Sequence, residues 1–241
     1  MLPVEVRVEV RAVPPPPNVV RAFARRVAAH CPPGARVLEV GAGDHHSDPL
    51  RPLLARRPHL VAVDPDPAVL RNRSAAECVV SDVQAYSATT PEPFDLAFAV
   101  YVLEHVADPR GFVTACASLL RPGGSFLALT VNQRHYFGAT TWALSRLRLE
   151  EQVLQRLGGH DGHLHHHHFR TEYRLNSVRA LTRAAQAAGF ETLEVVCFDA
   201  TANYAWYLPR GTRWVAPLWT RAVYAAGTPS LMGHLSVRMV R

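Results

Sequence analysis

The chain alternates short apolar runs with stretches in which apolar residues recur at helical spacing. Five such runs precede residue 133, and their sequences are ARVLEVGAG, HLVAVDPDP, ECVVSDV, FDLAFAVYV and SFLALTVN. Segments such as LVAV and LAFAV contain no polar residue, which is typical of strands buried on both faces. Strands that alternate with helices form βαβ units, so the pattern predicts a doubly wound α/β fold with a mainly parallel sheet.

Two further strands are predicted towards the end of the chain, which makes the expected sheet seven-stranded. ETLEVVCFDA follows a helical stretch that ends at Gly189, and HLSVRMVR alternates like a half-exposed final strand. Residues 1–13 alternate with period two, which indicates a short edge strand or an arm. Asn18 is placed to cap the helix that follows.

The order of these elements divides the chain into four regions. Residues 133–175 contain aromatic residues, arginines and a histidine run, and they are too long for a simple connection, so they are interpreted as an inserted lid. The regions are an N-terminal arm and helix (1–30), a core (31–132), the lid (133–175) and a C-terminal part of the core (176–241) with a substrate-side segment (201–233).

A glycine turn after the first core strand is the centre of the functional argument. Gly41 and Gly43 allow the backbone to turn sharply and a ligand to approach without meeting a Cβ. Glu39 would repel a pyrophosphate but suits a ligand that carries an ammonium group. His46 occupies the sixth place of G-x-G-x-x-G, so the dinucleotide fingerprint fails. Asp64 ends the second core strand, where an acid can accept hydrogen bonds from ribose hydroxyls.

The segments VLEVGAGD, VAVDPDP, SDV, FDLAFAVYVLEHVADP and LRPGG occur in this order. In sequence and spacing the chain resembles the class I S-adenosylmethionine (SAM)-dependent methyltransferases of the UbiE/type-11 kind. The resemblance is strong over residues 34–132 and looser over 176–200. It implies a Rossmann-like methyltransferase fold with SAM as cofactor, in which the last strand is antiparallel.

The resemblance also implies roles for the glycine turn. Glu39 and the turn residues Gly41, Ala42 and Gly43 would contact the methionine end of SAM. The alternative for Glu39 is that it only caps the glycine loop. The chain departs from the family at His45, which replaces the usual third glycine and begins an H-H-S-D-P insertion. This departure affects the expected binding of the methionine end more than the fold.

The remaining SAM contacts implied by the resemblance come from three strand ends. Asp64 would hold the ribose and Pro65 would flank the adenine. Asp82 would reach the adenine amino group, and Val83 would offer its backbone amide; the alternative for Asp82 is ordinary turn chemistry. The segment Val100–His105 would line the methyl-transfer site.

Four residues are candidates for the acceptor side and for catalysis. His105 lies just after a core strand, where its tunable pKa would suit a general base, although a structural or capping role is the simpler alternative. Methyl transfer often needs no strong base, because the sulfonium is a good leaving group and positioning supplies much of the acceleration. Tyr101, His135 and Tyr136 are comparable candidates to line the acceptor pocket.

Two histidine-rich stretches raise the question of a metal. The run His160–His168 lies in a predicted loop, where consecutive side chains cannot converge on one ion. The pair His45 and His46 with Asp48 is similarly weak evidence for a metal site. We therefore expect no metal. The aromatic segment Tyr204–Trp219 could reach lipid-like acceptors, but its prolines break a long amphipathic helix and favour a cover over the sheet edge.

Composition narrows the class of partner. The formal net charge is +6 and the sequence pI about 9.5, but the basic residues, all arginine, are scattered, so no nucleic acid is expected. The four cysteines form no C-x-x-C pair, and no window has 18 apolar residues. We expect a cytoplasmic protein without a transmembrane segment. The oligomeric state is open, with a homodimer as one alternative.

The functional prediction is methyl transfer from SAM, by an SN2 reaction, to a small or mid-sized organic acceptor such as a natural-product intermediate. One alternative is a SAM-binding regulatory or partner protein that does not methylate, suggested by the altered glycine loop. Another is a nucleotide-dependent oxidoreductase, which Glu39 and the missing third glycine disfavour.

Overall fold

A computed structural model describes residues 5–44, 49–89, 92–136, 138–139, 171–200, 205, 208 and 210–241. These residues form strands β1 (Arg7–Ala12), β2 (Arg36–Val40), β3 (His59–Asp64), β4 (Glu77–Val80), β5 (Phe94–Val100), β6 (Leu120–Val131), β7 (Thr192–Phe198) and β8 (His234–Val240). The α-helices are α1 (Val19–Ala29), α2 (Arg51–Leu54), α3 (Val83–Ser87), α4 (Pro109–Leu119), α5 (Val178–Ala188) and α6 (Val215–Ala225). Among the described residues, 3₁₀ turns cover Pro67–Arg71, Leu103–His105, Arg210–Thr212 and Pro229–Leu231.

The strands form one sheet in the order β1-β7-β8-β6-β5-β2-β3-β4. Strand β8 runs antiparallel to β6 and β7, and every other pair is parallel. The predicted doubly wound, mainly parallel fold is therefore confirmed. The sheet has eight strands instead of seven, because the N-terminal segment pairs with β7 as an edge strand, one of the two alternatives that its alternation allowed.

Helices cover both faces of the sheet, and neighbouring residues of a strand serve opposite faces. Val37 packs with α1 and α2 on one face, whereas Leu38 packs with the cluster that includes residues of α3, α4 and α5 on the other. In β5, Leu96 packs on the same face as Val37, and Ala97 packs on the same face as Leu38. Burial on both faces explains why these strands contain almost no polar residue.

The helix ends follow local chemistry. Asn18 Oδ1 accepts a hydrogen bond from the Arg21 amide at 2.8 Å, as a helix N-cap does. Gly189 ends α5 in the left-handed region, with φ of 78°. The stretch 66–76, which looks helical in sequence, contains only the 3₁₀ turn Pro67–Arg71, because Asn72 returns the backbone to an extended conformation.

Several predicted features lie mostly or wholly outside the described residues. They include most of the lid 133–175, the histidine run 160–168, and His45, His46 and Asp48. Of the segment 201–233, residues 205, 208 and 210–233 are described. The domain boundaries drawn from the sequence stay predictions.

Candidate active site

A cleft of ≈ 670 Å³ opens at the carboxyl ends of β2, β3 and β5. The chain leaves β2 for β3 on one side and returns to β5 on the other, so this edge is a switch point, where open α/β sheets bind ligands. The cleft brings together most of the residues proposed from sequence: Glu39, Gly41, Gly43, Asp64, Pro65, Asp82, Val83, Val100, Tyr101 and His105.

The turn after β2 depends on its two glycines. Gly41 and Gly43 have φ of 68° and 52°, a region that side chains with a Cβ rarely adopt. A Cβ at Gly41 would also overlap the adjacent side chain of Val102. Ala42, between them, does not line the cleft; it is fully buried and packs against neighbours that include Ala62.

Glu39 lies in the cleft floor with its carboxylate almost completely buried. Among the described residues its Oε2 atom has no hydrogen-bond partner. Burial and, to a smaller extent, the nearby Asp64 raise the pKa of Glu39 to about 8. A buried acid without a partner is costly for the fold, and a ligand ammonium group would relieve that cost. The capping alternative would require a bond that this oxygen does not make.

Asp64 is held in a fixed orientation at the end of β3. Its Oδ2 accepts from the Gly43 amide at 2.9 Å, and its Oδ1 accepts from the Asp66 amide at 2.7 Å. Each carboxylate oxygen can accept a further hydrogen bond, so two adjacent hydroxyl groups could bind without any rearrangement. Pro65 follows directly in the same wall.

Asp82 combines the two roles that its sequence allowed. Its Oδ1 accepts from the Ala85 amide at 2.8 Å and thereby caps α3, which is local turn chemistry. Asp82 and Val83 also line the cleft opposite the glycine turn. Contact with an adenine therefore stays a prediction, although the location fits it.

The wall after β5 carries a strained residue. Tyr101 has φ of 55°, unusual for a residue with a bulky side chain, and its amide donates to the Leu129 carbonyl at 2.8 Å. Such backbone strain is often found at functional sites. After Tyr101 the chain changes direction and enters the 3₁₀ turn Leu103–His105, which places His105 on the cleft wall.

Glu104 is an interior residue of the segment Val100–His105, and the sequence argument assigned it no role of its own. Its Oε2 accepts from the Thr130 hydroxyl at 2.9 Å, and that hydroxyl accepts from Asn176 Nδ2 at 2.6 Å. The Glu104 carbonyl accepts from the amides of Glu172 and Tyr173. Burial raises the pKa of the Glu104 carboxyl to about 7. The network joins the cleft wall to β6 and to the chain that precedes α5.

His135 and Tyr136 do not line the cleft. His135 is 1% exposed, its Nε2 lies 3.5 Å from Asp199 Oδ1, and its ring packs against Tyr136 and Trp219. Burial lowers the pKa of His135 to about 4. These residues form an aromatic cluster at the ends of β6, β7 and β8 with His234, which stacks on Phe198. Their assignment to the acceptor pocket stays a prediction.

The described residues contain no group of three histidine, cysteine, aspartate or glutamate side chains placed to hold a metal. The histidine run is not among them. No helix in the described part of the chain is long and apolar enough to cross a membrane.

A cleft at the switch point of a doubly wound sheet, lined by the buried Glu39 and by Asp64 at the end of β3, fits the methyltransferase class expected from the sequence. The profile of the family described as "Methyltransferase domain" matches residues 15–195. The chain belongs to this family. The resemblance to methyltransferases found in the sequence is thereby confirmed at the level of the family.

Individual relatives agree with this assignment. The chain is 35% identical over 109 residues to a ubiquinone biosynthesis O-methyltransferase of Xylella fastidiosa, covering 42% of the chain and 43% of the relative. It thus spans less than half the length of that curated relative.

Solved structures agree on the fold. A SAM-dependent methyltransferase from Archaeoglobus fulgidus superposes with a TM-score of 0.60 at 13% identity, covering 92% of this chain and 93% of the other. Geranyl diphosphate C-methyltransferase from Streptomyces coelicolor A3(2) gives 0.51 at 16% identity, covering 91% and 77%.

Proposed function

We propose that this protein transfers a methyl group from SAM to a hydroxyl group of a small or mid-sized organic acceptor. The observation that carries the proposal is the buried Glu39 oxygen that has no hydrogen-bond partner within the described part of the chain, located in the cleft floor beside two left-handed glycines. SAM supplies a methyl group on a sulfonium and carries an ammonium group and a ribose, the groups that Glu39 and Asp64 are placed to bind. Hydroxyl as the accepting group is favoured by the O-methyltransferase relatives.

The cofactor half of the cleft is organised before any ligand arrives. The two amide bonds to Asp64 fix its carboxylate, and the glycine turn is fixed by the bond from the Gly41 amide to the Val63 carbonyl at 2.8 Å. Fixed groups bind with little loss of entropy and hold the reacting atoms in line. In-line geometry is what a direct SN2 transfer requires.

We assign the acceptor to a largely apolar part of the cleft. Val102, Val106 and Phe112 line the cleft, and such side chains suit an acceptor with an aromatic or aliphatic framework. His105 is the titratable residue on this wall that we propose as general base for the acceptor hydroxyl. Tyr101 also lines the cleft, and burial raises the pKa of its phenol, so Tyr101 stays neutral and can donate a hydrogen bond.

The origin of the acceptor and the location of the protein in the cell stay predictions. The sequence suggested a natural-product intermediate and a cytoplasmic protein. The relatives suggest a hydroxylated aromatic acceptor, which a natural-product intermediate can also be. No observation on the described residues favours the alternative of a SAM-binding protein without catalysis.

The test is methyl transfer from radiolabelled SAM to a panel of hydroxylated aromatic compounds. We expect label in at least one product with the wild-type protein and a much lower rate with His105→Gln. Binding of S-adenosylhomocysteine (SAH) should be nearly the same in both proteins, since His105 faces the acceptor. Binding of SAH without transfer to any compound or to a cell extract would contradict the proposal and favour the non-catalytic alternative.

A further inference from the structure

Strand β1 forms one edge of the sheet and pairs with β7 alone. The Arg7 amide donates to the Glu191 carbonyl at 2.9 Å, and the Val13 amide donates to the Cys197 carbonyl at 3.0 Å. Backbone groups of successive strand residues point to alternate sides, so the odd-numbered residues bond to β7. The amides and carbonyls of Val8 and Val10 therefore point outwards, away from the sheet.

The side chains of β1 alternate between charge and valine. Glu5, Arg7, Glu9 and Arg11 share one face and alternate in sign, and all four are exposed. No ion pair is recorded for any of them in the described part of the chain. On the other face Val8 and Val10 are 39% and 41% exposed, which is high for valines in a strand.

The charges on one copy of β1 are complementary to those on a second copy related to it by a twofold axis. Two antiparallel copies of β1 with the axis at Val8 place Arg7 opposite Glu9 and Glu5 opposite Arg11, each pair occurring twice. Val8 then lies opposite Val8, and Val6 opposite Val10, with their outward backbone groups facing each other as hydrogen-bonded pairs. Every charge on the strand meets an opposite charge.

The neighbouring registers are unfavourable. An axis at Glu9 places Glu9 opposite itself and Arg7 opposite Arg11, and an axis at Arg7 places Arg7 opposite itself and Glu5 opposite Glu9. Like charges directly opposite each other destabilise a strand pair. If one strand is shifted by a single residue, each even-numbered residue lies opposite an odd-numbered one. The backbone groups of one residue then point outwards and those of the other point inwards, so the hydrogen-bonded ladder cannot form. Axes at Val6 or Val10 also oppose unlike charges, but each forms two opposite-charge pairs, whereas the axis at Val8 forms four. The charge pattern thus favours the register centred on Val8.

We propose that two copies of this chain associate through β1, in antiparallel orientation with Val8 on the twofold axis, to form one continuous sheet. Charges on an edge strand usually prevent such pairing, and a single sign would do so most effectively. Alternating signs instead allow a second copy of the same strand to pair, and they favour the register with the most opposite-charge pairs, as a symmetric interface requires. A six-residue edge buries little area, so the dimer is weak and dissociates on dilution.

The test uses sedimentation velocity from low to high micromolar protein with four forms of the full chain. The wild type is expected to shift from monomer to dimer. Arg7→Glu and Glu9→Arg each create two like-charge pairs and should weaken association by about tenfold or more. The double variant Arg7→Glu/Glu9→Arg restores the opposite charges in the same register and should dimerise like the wild type.

A mixture of the two single variants provides the sharpest outcome. In the proposed register the mixture creates only opposite charges, so the two variants should form a heterodimer more readily than either forms a homodimer. SAH binding serves as the folding control, since β1 does not line the cleft.

Three results would overturn the proposal. They are a wild type that stays monomeric at all concentrations, a dimer indifferent to these charge reversals, and a dimer dissociated by Leu218→Glu on the exposed apolar face of α6.

Discussion

The carboxyl edge of the sheet has an open half and a sealed half. Over β2, β3 and β5, Glu39 and Asp64 line a cleft, and Glu39 has a buried oxygen without a partner among the described residues. Over β6, β7 and β8, Asp199 is equally buried, and its Oδ1 likewise has no hydrogen-bond partner among the described residues. However, Thr220 donates to its Oδ2 at 3.0 Å, His135 Nε2 lies 3.5 Å from its Oδ1, and aromatic rings surround His135. Burial raises the carboxyl pKa in both halves.

The comparison teaches that burial of an acid alone does not identify a binding site. Both carboxyl groups are disfavoured as anions by desolvation. What distinguishes Glu39 is its location on a cleft and its proximity to a second, fixed carboxylate. The account therefore predicts that changes in the open half affect ligand affinity, whereas matching changes in the sealed half affect stability alone.

The largest effect is expected for Asp64→Ala. Loss of charge-assisted hydrogen bonds to the ribose should cost about 1.5–3 kcal/mol, or about 10- to 150-fold in SAH affinity measured by calorimetry. Asp66→Ala is the matched control, because Asp66 lies two residues away, caps the following 3₁₀ turn and does not line the cleft. Equal affinity of Asp64→Ala and the parent would remove Asp64 from the site.

Glu39→Gln should weaken SAH binding by about tenfold at pH 7 and by more at pH 8.5. At pH 7 the wild type must first ionise a group whose pKa is about 8, which costs about 1.4 kcal/mol and offsets part of the attraction. The control is Asp199→Asn, the same acid-to-amide change in the sealed half, which should leave affinity within about twofold. An equal loss in the two variants would contradict the comparison.

Glu39→Gln and the wild type should also differ in how the stability of the ligand-free protein depends on pH. A folded-state pKa raised from 4.5 to about 8 means that the folded protein binds more protons than the unfolded chain. The contribution of Glu39 to stability is then fully present below about pH 4.5 and is lost as the pH rises to about 8. Glu39→Gln should therefore melt at a higher temperature than the wild type at pH 8. A lower melting temperature at pH 8 would show that the charge stabilises the fold.

The smallest effect is expected for the histidine run. Replacement of His165 to His168 by serine should leave SAH affinity unchanged and turnover altered only modestly, because consecutive side chains of a strand or helix point in different directions. Activity abolished by this replacement, and equally abolished by a chelator in the parent, would show that the run supplies metal ligands.

Local sequence patterns predicted the strands and the cleft-side acids well. Glu39 and Asp64 follow buried strands directly, and strand ends in a parallel sheet meet at one edge, so their proximity could be inferred without coordinates. The network of Glu104, Thr130 and Asn176 could not be inferred from the sequence. Its members come from distant segments, and their polar side chains follow no periodic pattern. The one available signal for this network was that Glu104 is an acidic residue that follows a buried strand.

Two other features depended on contacts that sequence spacing does not encode. The pairing of β1 with β7 joins segments about 180 residues apart, and alternation alone did not distinguish an edge strand from an arm. The burial of His135 away from the cleft depends on Trp219 and Asp199, which reach it from α6 and the end of β7.

The central claim is that the buried Glu39 binds the ammonium group of the cofactor, and the most direct test is the proton balance of SAH binding. Calorimetry at pH 7 in buffers of different ionisation enthalpy measures the protons released. Because Glu39 is mostly protonated in the free protein and ionised beside an ammonium, we expect release of close to one proton by the wild type and none by Glu39→Gln. Absence of SAH binding, or equal proton release by the two proteins, would contradict the account.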